Sequence, residues 1–327
     1  MDNNVALVLR ALLAIALGSG GVIAIFYGLN ILVEKALPKE TQRQVLPWIY
    51  IGPSLLLLLI YLVLPTIRTI YLSFFNNDSS QFIGLRNYIF AFTSPDMLIA
   101  FRNNLLWLVL VTSISVGLGL IIAVLVDRVR YEPLAKSLIF LPMAISFVGA
   151  SVIWRFVYAY RPAGSEQIGL LNAIVTLLGF EPIGWLVERD INNFALIAIM
   201  IWLQTGFCMV LLSSAVKGVP KDVIEAARVD GANEFQIFRR IIIPMIMPTV
   251  TVVSTTVIVL VLKVFDIVFV MTGGNLDTDV IASRMVREMF NFRNFGRGSA
   301  IAVILLIAVI PVMVANIRRF RQQELDR

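Results

Sequence analysis

The chain has no histidine and a single cysteine, Cys208, among its 327 residues. Without histidine it lacks the commonest metal ligand, and one cysteine cannot form an intrachain disulfide or a cysteine-based metal site. No Ser-His-Asp set can be assembled, and no Gly-x-x-x-x-Gly-Lys-Ser/Thr loop for nucleotide phosphates occurs. We therefore predict no catalytic residues, no bound metal and no cofactor, and the chain is not expected to be an enzyme.

Charged residues are also scarce, at 15% of the chain, whereas hydrophobic residues make up 59%. A helix needs about 20 mainly apolar residues to cross a bilayer. Seven stretches meet this criterion: residues 5–33, 48–75, 104–126, 138–160, 194–216, 249–271 and 298–317. The first is too long for the apolar part of a signal peptide, and the residues before it carry no Lys or Arg, so we interpret it as a retained helix. The sequence thus predicts an all-α polytopic membrane protein.

Lys and Arg are distributed unevenly between the two sets of connections, and this bias predicts orientation. Fifteen fall on one side, against eight on the other. The larger set comprises Lys35, Lys39, Arg43, Arg128, Arg130, Lys136, Lys217, Lys221, Arg228, Arg239, Arg240, Arg318, Arg319, Arg321 and Arg327. We therefore expect the connection at 217–247 and the C-terminus to be cytoplasmic and the N-terminus to lie outside. The net charge of +6 is explained by this orientation, and no nucleic-acid partner is predicted.

The stretch from Glu225 to Pro244 is the one sizeable polar island in the apolar second half of the chain. Proline is favoured at the start of a helix, so Pro220 followed by Lys221 to Val229 predicts a short helix, and Asp230-Gly231 predicts a turn with positive φ. In a second helix, the residues Phe235, Phe238, Ile241 and Ile242 recur at helical spacing and predict one apolar face. Because predicted spans flank this helix-turn-helix on both sides, it is unlike a DNA-reading module.

Three features of this island match a known motif. Glu225-Ala226-Ala227 is followed by Gly231 six residues after the Glu, and by Ile241-Ile242-Ile243-Pro244 beginning ten residues after the Gly. The pattern resembles the EAA loop of permease subunits of binding-protein-dependent ABC importers, with Ile243 where Leu is usual. The resemblance covers about residues 46–317 and is closest to the maltose and α-glucoside group of sugar importers.

The resemblance implies a six-helix permease core at 46–317, with an EAA-like loop at about 217–247. It leaves residues 1–45 as an extra N-terminal helix and linker, and 318–327 as a cytoplasmic tail. It implies partners: a second (MalG-like) permease, two copies of an ATPase subunit and an external solute-binding protein, all in the lipid of a bacterial inner membrane. It assigns coupling to the ATPase to Glu225, Ala226, Ala227, Asp230, Gly231, Ala232, Phe235, Phe238 and Pro244.

Polar and aromatic residues within two predicted spans are candidates for the solute pathway. Lys263 and Asp266 are costly inside a bilayer, and their i,i+3 spacing lets them neutralise each other, so the pair is either functional or purely structural. In the span 194–216, Gln204 offers a donor and an acceptor for hydroxyl groups. Aromatic platforms could come from Trp202, Phe207 and Phe265, although aromatics at helical spacing more often serve packing.

Two classes of function remain open at this stage. The first is a permease subunit whose helix pair couples ATP hydrolysis elsewhere to solute movement. The second is a non-transport assembly or sensor subunit that recruits another soluble partner through the same helices. Within the first class, the short charged tail and the extra N-terminal helix resemble the first (MalF-like) permease of sugar importers. Trehalose, sucrose, maltose and glucosylglycerol are all candidate solutes, and glycerol-phosphate importers are a competing group.

Overall fold

We describe the protein from a computed structural model. It describes the backbone of residues 3–127 and 129–325, and the side chains of these residues except 3–6, 8, 9, 16 and 319–325. Arg128 and Arg327, which contribute to the charge bias, lie outside the described residues, as do the side chains of Arg319 and Arg321. Within the described part the regular structure is helical, with one isolated β-bridge between Phe75 and Phe82.

The chain divides into two compact units, Met1–Thr69 and Ile70–Arg327. The first contains α1 (Asn3–Ala36) and most of α2 (Lys39–Leu72), which form an antiparallel hairpin. Tyr50 closes this hairpin: its ring stacks on Phe26 at 5.7 Å, and its hydroxyl donates to Asn30 Oδ1 at 3.3 Å. The side-chain amide of Gln42 donates to the carbonyls of Glu34 and Leu37, which satisfies carbonyl groups at the end of α1.

The second unit contains the remaining helices. They are α3 (Arg86–Thr93), α4 (Pro95–Val126), α5 (Glu132–Ala144), α6 (Phe147–Val157), α7 (Leu170–Leu177), α8 (Asn192–Lys217), α9 (Lys221–Val229), α10 (Glu234–Leu262), α11 (Asp266–Met271), α12 (Ile281–Val286, continued by a π turn at Arg287–Asn291) and α13 (Phe295–Leu325).

Six described helices are long and apolar enough to cross a membrane, namely α1, α2, α4, α8, α10 and α13, and the bent pair α5 and α6 can supply a seventh crossing. The predicted all-α fold, with six crossings and one more at the N-terminus, is confirmed. Two predicted spans are wrong in detail. The span 138–160 begins at Glu132 and bends by 101° between Ala144 and Phe147, and the span 249–271 ends at Leu262.

Helix α8 lies at the centre of the second unit, packed against α4, α5 and α10. Its buried side chains, among them Leu196, Met200, Leu203 and Leu212, form the core together with Trp107 and residues of α10. Glycines allow the closest approaches. A Cβ on Gly119 of α4 would lie 2.6 Å from Cys208 Cβ, and a Cβ on Gly206 would lie 2.8 Å from Phe140 Cα. These helices therefore pack almost backbone to backbone, as small residues permit in membranes.

The parallel helices α4 and α8 define two ends of the unit. At the loop end, Asp127 and Ser213 lie beside the helix pair α9–α10, and at the far end Trp107 donates to Asn193 at 2.8 Å. A tight segment, 272–280, is fixed at the far end because the Asn103 amide donates to the carbonyls of Asp277 and Asp279. Burial raises the pKa of Asp279, whose carboxylate faces Arg287 at 3.3 Å.

Because Gly119 packs closely against α8, we predict that its substitution by Val costs far more stability than the same substitution at Gly117 of the same helix. Val at position 119 meets the α8 backbone and should destabilise the fold by about 1–3 kcal/mol, as overpacking does. Gly117→Val is the matched control, because a Cβ there has nothing within 4 Å, and it carries the same change in helix propensity. Thermal unfolding of the detergent-solubilised chain measures both. Equal losses for the two variants would contradict the packing described here.

Candidate functional site

The predicted helix-turn-helix is present, and its first helix has the predicted bounds, Lys221–Val229. The turn after it has a defined hydrogen-bond pattern. Ala232 N donates to Ala227 O at 3.0 Å and Gly231 N donates to Arg228 O at 3.1 Å, while Gly231 has φ +84°. This is a Schellman motif, in which a left-handed residue satisfies the last carbonyl groups of the helix. The expectation that Asp230-Gly231 supplies a turn with positive φ is confirmed at Gly231.

The second helix starts with a capping box that the sequence analysis did not predict. Asn233 Oδ1 accepts from Gln236 N, and Gln236 Oε1 accepts from Asn233 N, both at 2.9 Å. An ion pair of 3.0 Å between Arg228 and Glu234 spans the turn. The two helices are thus held in a fixed relation by backbone, capping and charge contacts together.

The inner face of the helix pair packs on the bundle. Ala227, Ile237, Ile242 and Ile246 are buried in one cluster together with Val219. Phe238, Ile241 and Ala232 pack against this cluster from its edge. The prediction that Phe235, Phe238, Ile241 and Ile242 share one apolar face is therefore confirmed for Phe238, Ile241 and Ile242, which pack on the bundle, and wrong for Phe235.

A π turn at Phe238–Ile242 explains the error. Its i,i+5 geometry inserts one residue per turn, so Ile237 and Ile242, five positions apart, share a face that regular helical spacing does not predict. The outward face carries Val229 and Phe235, whose side chains are 87% and 67% exposed. Glu225, Ala226, Asp230 and Gly231 are exposed on the same pair of helices.

Helix α10 is continuous from this loop into the membrane span. Pro244 lies within it and is exposed, two residues after the π turn ends. Proline lacks an N–H and clashes with the carbonyl four residues earlier, and a π turn accommodates both effects without ending the helix. The same arrangement occurs in α2, where the π turn Leu59–Val63 precedes Pro65. The second helix of the loop and the span after it consequently belong to one continuous helix, Glu234–Leu262.

A cavity of about 510 Å³ lies where α8 and α10 meet the bend between α5 and α6. Its lining residues are Met143, Ile145, Ser146, Phe147, Val148, Leu203, Gln204, Phe207, Thr256, Leu260 and Asp266. The volume suits a small organic ligand. Three predicted pathway residues, Gln204, Phe207 and Asp266, are thereby brought together from two separate segments.

Gln204 is a buried polar residue in the lining of this cavity. The residue is only 4% exposed, and its Oε1 atom is buried without a hydrogen-bond partner among the described residues. Buried polar atoms are nearly always paired, because an unpaired one costs about 1–3 kcal/mol. Gln204 is therefore a polar lining residue whose acceptor has no partner among the described residues.

The other predicted pathway residues lie elsewhere. Trp202 does not line this cavity and meets Trp154 edge-on at 5.8 Å. Lys263 and Phe265 do not line the cavity either. The expected ion pair between Lys263 and Asp266 is not found among the described residues, because α10 ends at Leu262 and the backbone between them is not helical. Phe265 instead stacks on Phe269 at 5.0 Å.

Sequence reasoning missed several residues of the site. Ser146 caps α6 by accepting from Gly149 N at 3.0 Å, and it lines the cavity together with Phe147. Pro142, which precedes this bend, was a sequence signal for it. Thr256 and Leu260 gave no such signal, because nothing in their stretch of alternating hydroxyl and aliphatic residues singles them out.

The fold and the site together define a polytopic α-helical membrane protein in which a structured helix pair at one end joins two spans that line a cavity. The chain belongs to the family described as the binding-protein-dependent transport system inner membrane component, whose model matches residues 115–323. It is therefore a transporter permease subunit of the ABC importer class.

Two relatives and one solved structure agree with this assignment. The chain is 75% identical over 275 residues to the osmoprotective compounds uptake permease GgtC of Synechocystis sp., covering 84% of this chain and 99% of the relative. It is 46% identical over 323 residues to the α-glucoside permease AglF of Rhizobium meliloti, covering 95% and 96%. A bacterial alginate importer has the same fold, with a TM-score of 0.75 over 86% of this chain and 98% of that one, at 22% identity.

Proposed function

We propose that this chain carries a neutral sugar or sugar-like solute across the membrane, driven by ATP hydrolysis in separate subunits that dock on the helix pair α9–α10. One observation carries the proposal: the two spans that the pair connects, α8 and α10, both line the cavity. A displacement of the pair is therefore transmitted directly to the walls around the solute.

The outward face of the helix pair supports docking of an ATPase. Val229 and Phe235 are large apolar side chains left exposed on a helix pair whose inner face is well packed. Apolar side chains presented by a helix are the usual anchors for a groove on a partner protein. Glu225 and Asp230 flank this face and supply polar contacts at its rim. Both roles match those that the EAA-like motif implies.

The chemistry of the cavity favours a neutral solute. None of its described lining residues is cationic, and the one ionisable residue is Asp266. A glycerol phosphate would meet a carboxylate with no Lys or Arg to bind its anion, so this competitor is disfavoured. Gln204 offers a free acceptor and Phe207 an aromatic ring, which suit a sugar hydroxyl and an apolar sugar face. The names of the two relatives support an osmoprotective α-glucoside.

The remaining partners and the orientation follow from the same proposal. The cavity is open on one side of this subunit, which suits completion by a second, MalG-like permease. The chain takes the MalF-like place, with domains as predicted at 1–45, 46–317 and 318–327. An external solute-binding protein delivers solute at the far end, in a bacterial inner membrane. The helix pair and the C-terminus face the cytoplasm, and the N-terminus faces outside.

The turn at Gly231 provides the test of docking. Gly231→Val places a β-branched residue at φ +84°, and strain of about 1–3 kcal/mol should distort the turn and weaken retention of the ATPase roughly 10-fold. Co-purification of the two subunits, together with solute uptake, measures this effect. Membrane insertion should be unchanged, because a Cβ at this position has nothing within 4 Å.

Gly231→Asn is the matched control, because Asn tolerates the left-handed region. It should retain the ATPase and most uptake. Normal assembly and uptake with Val at position 231 would contradict the docking role. If a different soluble protein is retained and no ATPase, the non-transport alternative is supported.

The unpaired acceptor of Gln204 provides the test of the solute path. Gln204→Met keeps the volume but removes one hydrogen bond of roughly 0.5–1.5 kcal/mol, so uptake at low solute concentration should fall about 2- to 10-fold. Gln204→Ala should lower uptake similarly, and the amount of assembled complex should not fall with Met. The control Thr205→Val changes a neighbour whose hydroxyl bonds within its own helix, to Ile201 O. Equal uptake by Gln204→Met and the native chain would contradict the proposal that Gln204 contacts the solute.

Orientation is tested at the two termini, where Asp2 and Arg327 lie outside the described residues. A reporter fused after Arg327 should be cytoplasmic, and a cysteine placed at Asp2 should react with an impermeant reagent in intact cells, given the charge bias. The buried Cys208 serves as an internal control that the reagent does not reach. Labelling at position 2 only after lysis would contradict an external N-terminus, and would mean that α1 crosses in the opposite direction or does not cross.

A further inference from the structure

Four charged side chains and a serine form a cluster at the loop end, at the point where α8 enters the EAA-like loop. Lys136 Nζ donates to Asp127 Oδ1 at 2.8 Å and to Glu132 Oε1 at 2.6 Å, and it also contacts Ser213 Oγ. Ser213 donates to Asp127 at 2.8 Å, and Lys217 pairs with Glu132. We refer to these five residues as the loop-end cluster.

The loop-end cluster joins three separate parts of the chain. Asp127 follows α4, Glu132 and Lys136 belong to the first two turns of α5, and Ser213 and Lys217 lie in the last turns of α8. Lys136 is its centre, with a side chain 19% exposed, between carboxylates that are 15% and 23% exposed. Two cations balance two carboxylates, so the set is neutral as a whole.

Partial burial makes these contacts stronger than ordinary surface ion pairs, because bulk water screens them less. It also makes the set vulnerable. Removal of Lys136 alone leaves two partly exposed carboxylates close together with only Lys217 to balance them, and their repulsion then opposes assembly.

Helix α5 has a second firm contact with α8 nearer the cavity. At Gly206 the backbone of α8 approaches Phe140 so closely that a Cβ would lie 2.8 Å from Phe140 Cα. Contacts at two levels hold α5 and α8 together as one body. Because α5 ends at Ala144, immediately before the cavity-lining bend at Ile145 and Ser146, the position of that bend is fixed by α8.

We propose that Lys136 is a positioning residue of the transport cycle, which through the loop-end cluster makes α5 follow α8 when the EAA-like loop is displaced. The inference rests on the function proposed above. The loop then moves three cavity walls: α8 and α10 by chain continuity, and the bend before α6 through the cluster. Without the cluster, only the contact at Gly206, of the two described above, holds α5 to α8, and α5 follows α8 less closely. The cavity then changes shape incompletely, and less solute is moved for each ATP hydrolysed.

The first test separates positioning from folding by restoring neutrality. Lys136→Met alone should lower the amount of assembled complex. The double variant Lys136→Met with Glu132→Gln leaves one carboxylate and one lysine, so assembly should recover while uptake per ATP hydrolysed stays at least 5-fold below the native ratio. Lys136→Arg, which keeps the charge, should restore most of the ratio. Arg130→Met, an exposed cation in the same connection, is the control and should leave the ratio unchanged.

Ser213→Ala provides a second, milder test that does not depend on recovered assembly. It removes one buried hydroxyl from the cluster and should reduce the uptake-to-hydrolysis ratio about 2- to 3-fold with normal complex levels. Ser214→Ala, the exposed neighbour on the same helix, should have no effect. A native ratio in Ser213→Ala, or in the assembled double variant, would overturn the positioning role alone. Failure of the native complex to transport any neutral sugar would overturn this inference together with the proposed function.

Discussion

The interior of a bilayer offers no water to backbone N–H and C=O groups, and this constraint governs where the chain can leave helical geometry. A helix can be interrupted at membrane depth only where the freed groups are buried in protein or face a water-filled cavity. Among the described residues, the bent pair α5 and α6 is a span interrupted between Ala144 and Phe147, and a second irregular stretch follows the end of α10, between Leu262 and Asp266. Ile145 and Ser146 of the first irregular stretch line the cavity, as does Asp266, which directly follows the second. The irregular backbone and the proposed solute path are thus explained by one physical requirement.

The same requirement explains how proline is tolerated elsewhere. Pro65 and Pro244 each follow a π turn, which accommodates the missing donor without breaking the helix. In α10 the helix consequently continues from Glu234 to Leu262. The helix pair is thus joined by one continuous helix to Thr256 and Leu260 at the cavity.

The sequence predicted the elements that depend on local patterns. Apolar length located the crossings, and Pro220, Asp230 and Gly231 predicted the bounds of α9 and its turn. The motif resemblance supplied the class of protein, which the family match confirms. The assignment of residues to faces failed for Phe235, which is exposed, because the π turn that follows it interrupts regular helical spacing. Likewise, Lys263 and Asp266 are close in sequence but not paired, because α10 ends at Leu262 and the backbone from Lys263 to Phe265 is not helical.

The cavity and the loop-end cluster were beyond sequence reasoning for a different reason. Ser146, Gln204, Thr256 and Asp266 come from four separate stretches, and only the packing of α5, α8 and α10 brings them together. Gln204 was identified as a hydrogen-bonding residue, but its unpaired acceptor is visible only when its neighbours are known.

Lys136 is a further residue whose partners could not be predicted from the sequence. The positive-inside rule counts it as a topological charge in a connection, since the rule treats Lys and Arg as independent and solvated. In the structure it lies within α5 and bridges two carboxylates and a serine. A lysine at the membrane boundary that contributes to orientation can therefore also hold helices together. The two roles are compatible because each requires the charge to lie at the loop end. Charge counts along a sequence predict which side a loop faces, whereas the partners of each charge determine what moves with it.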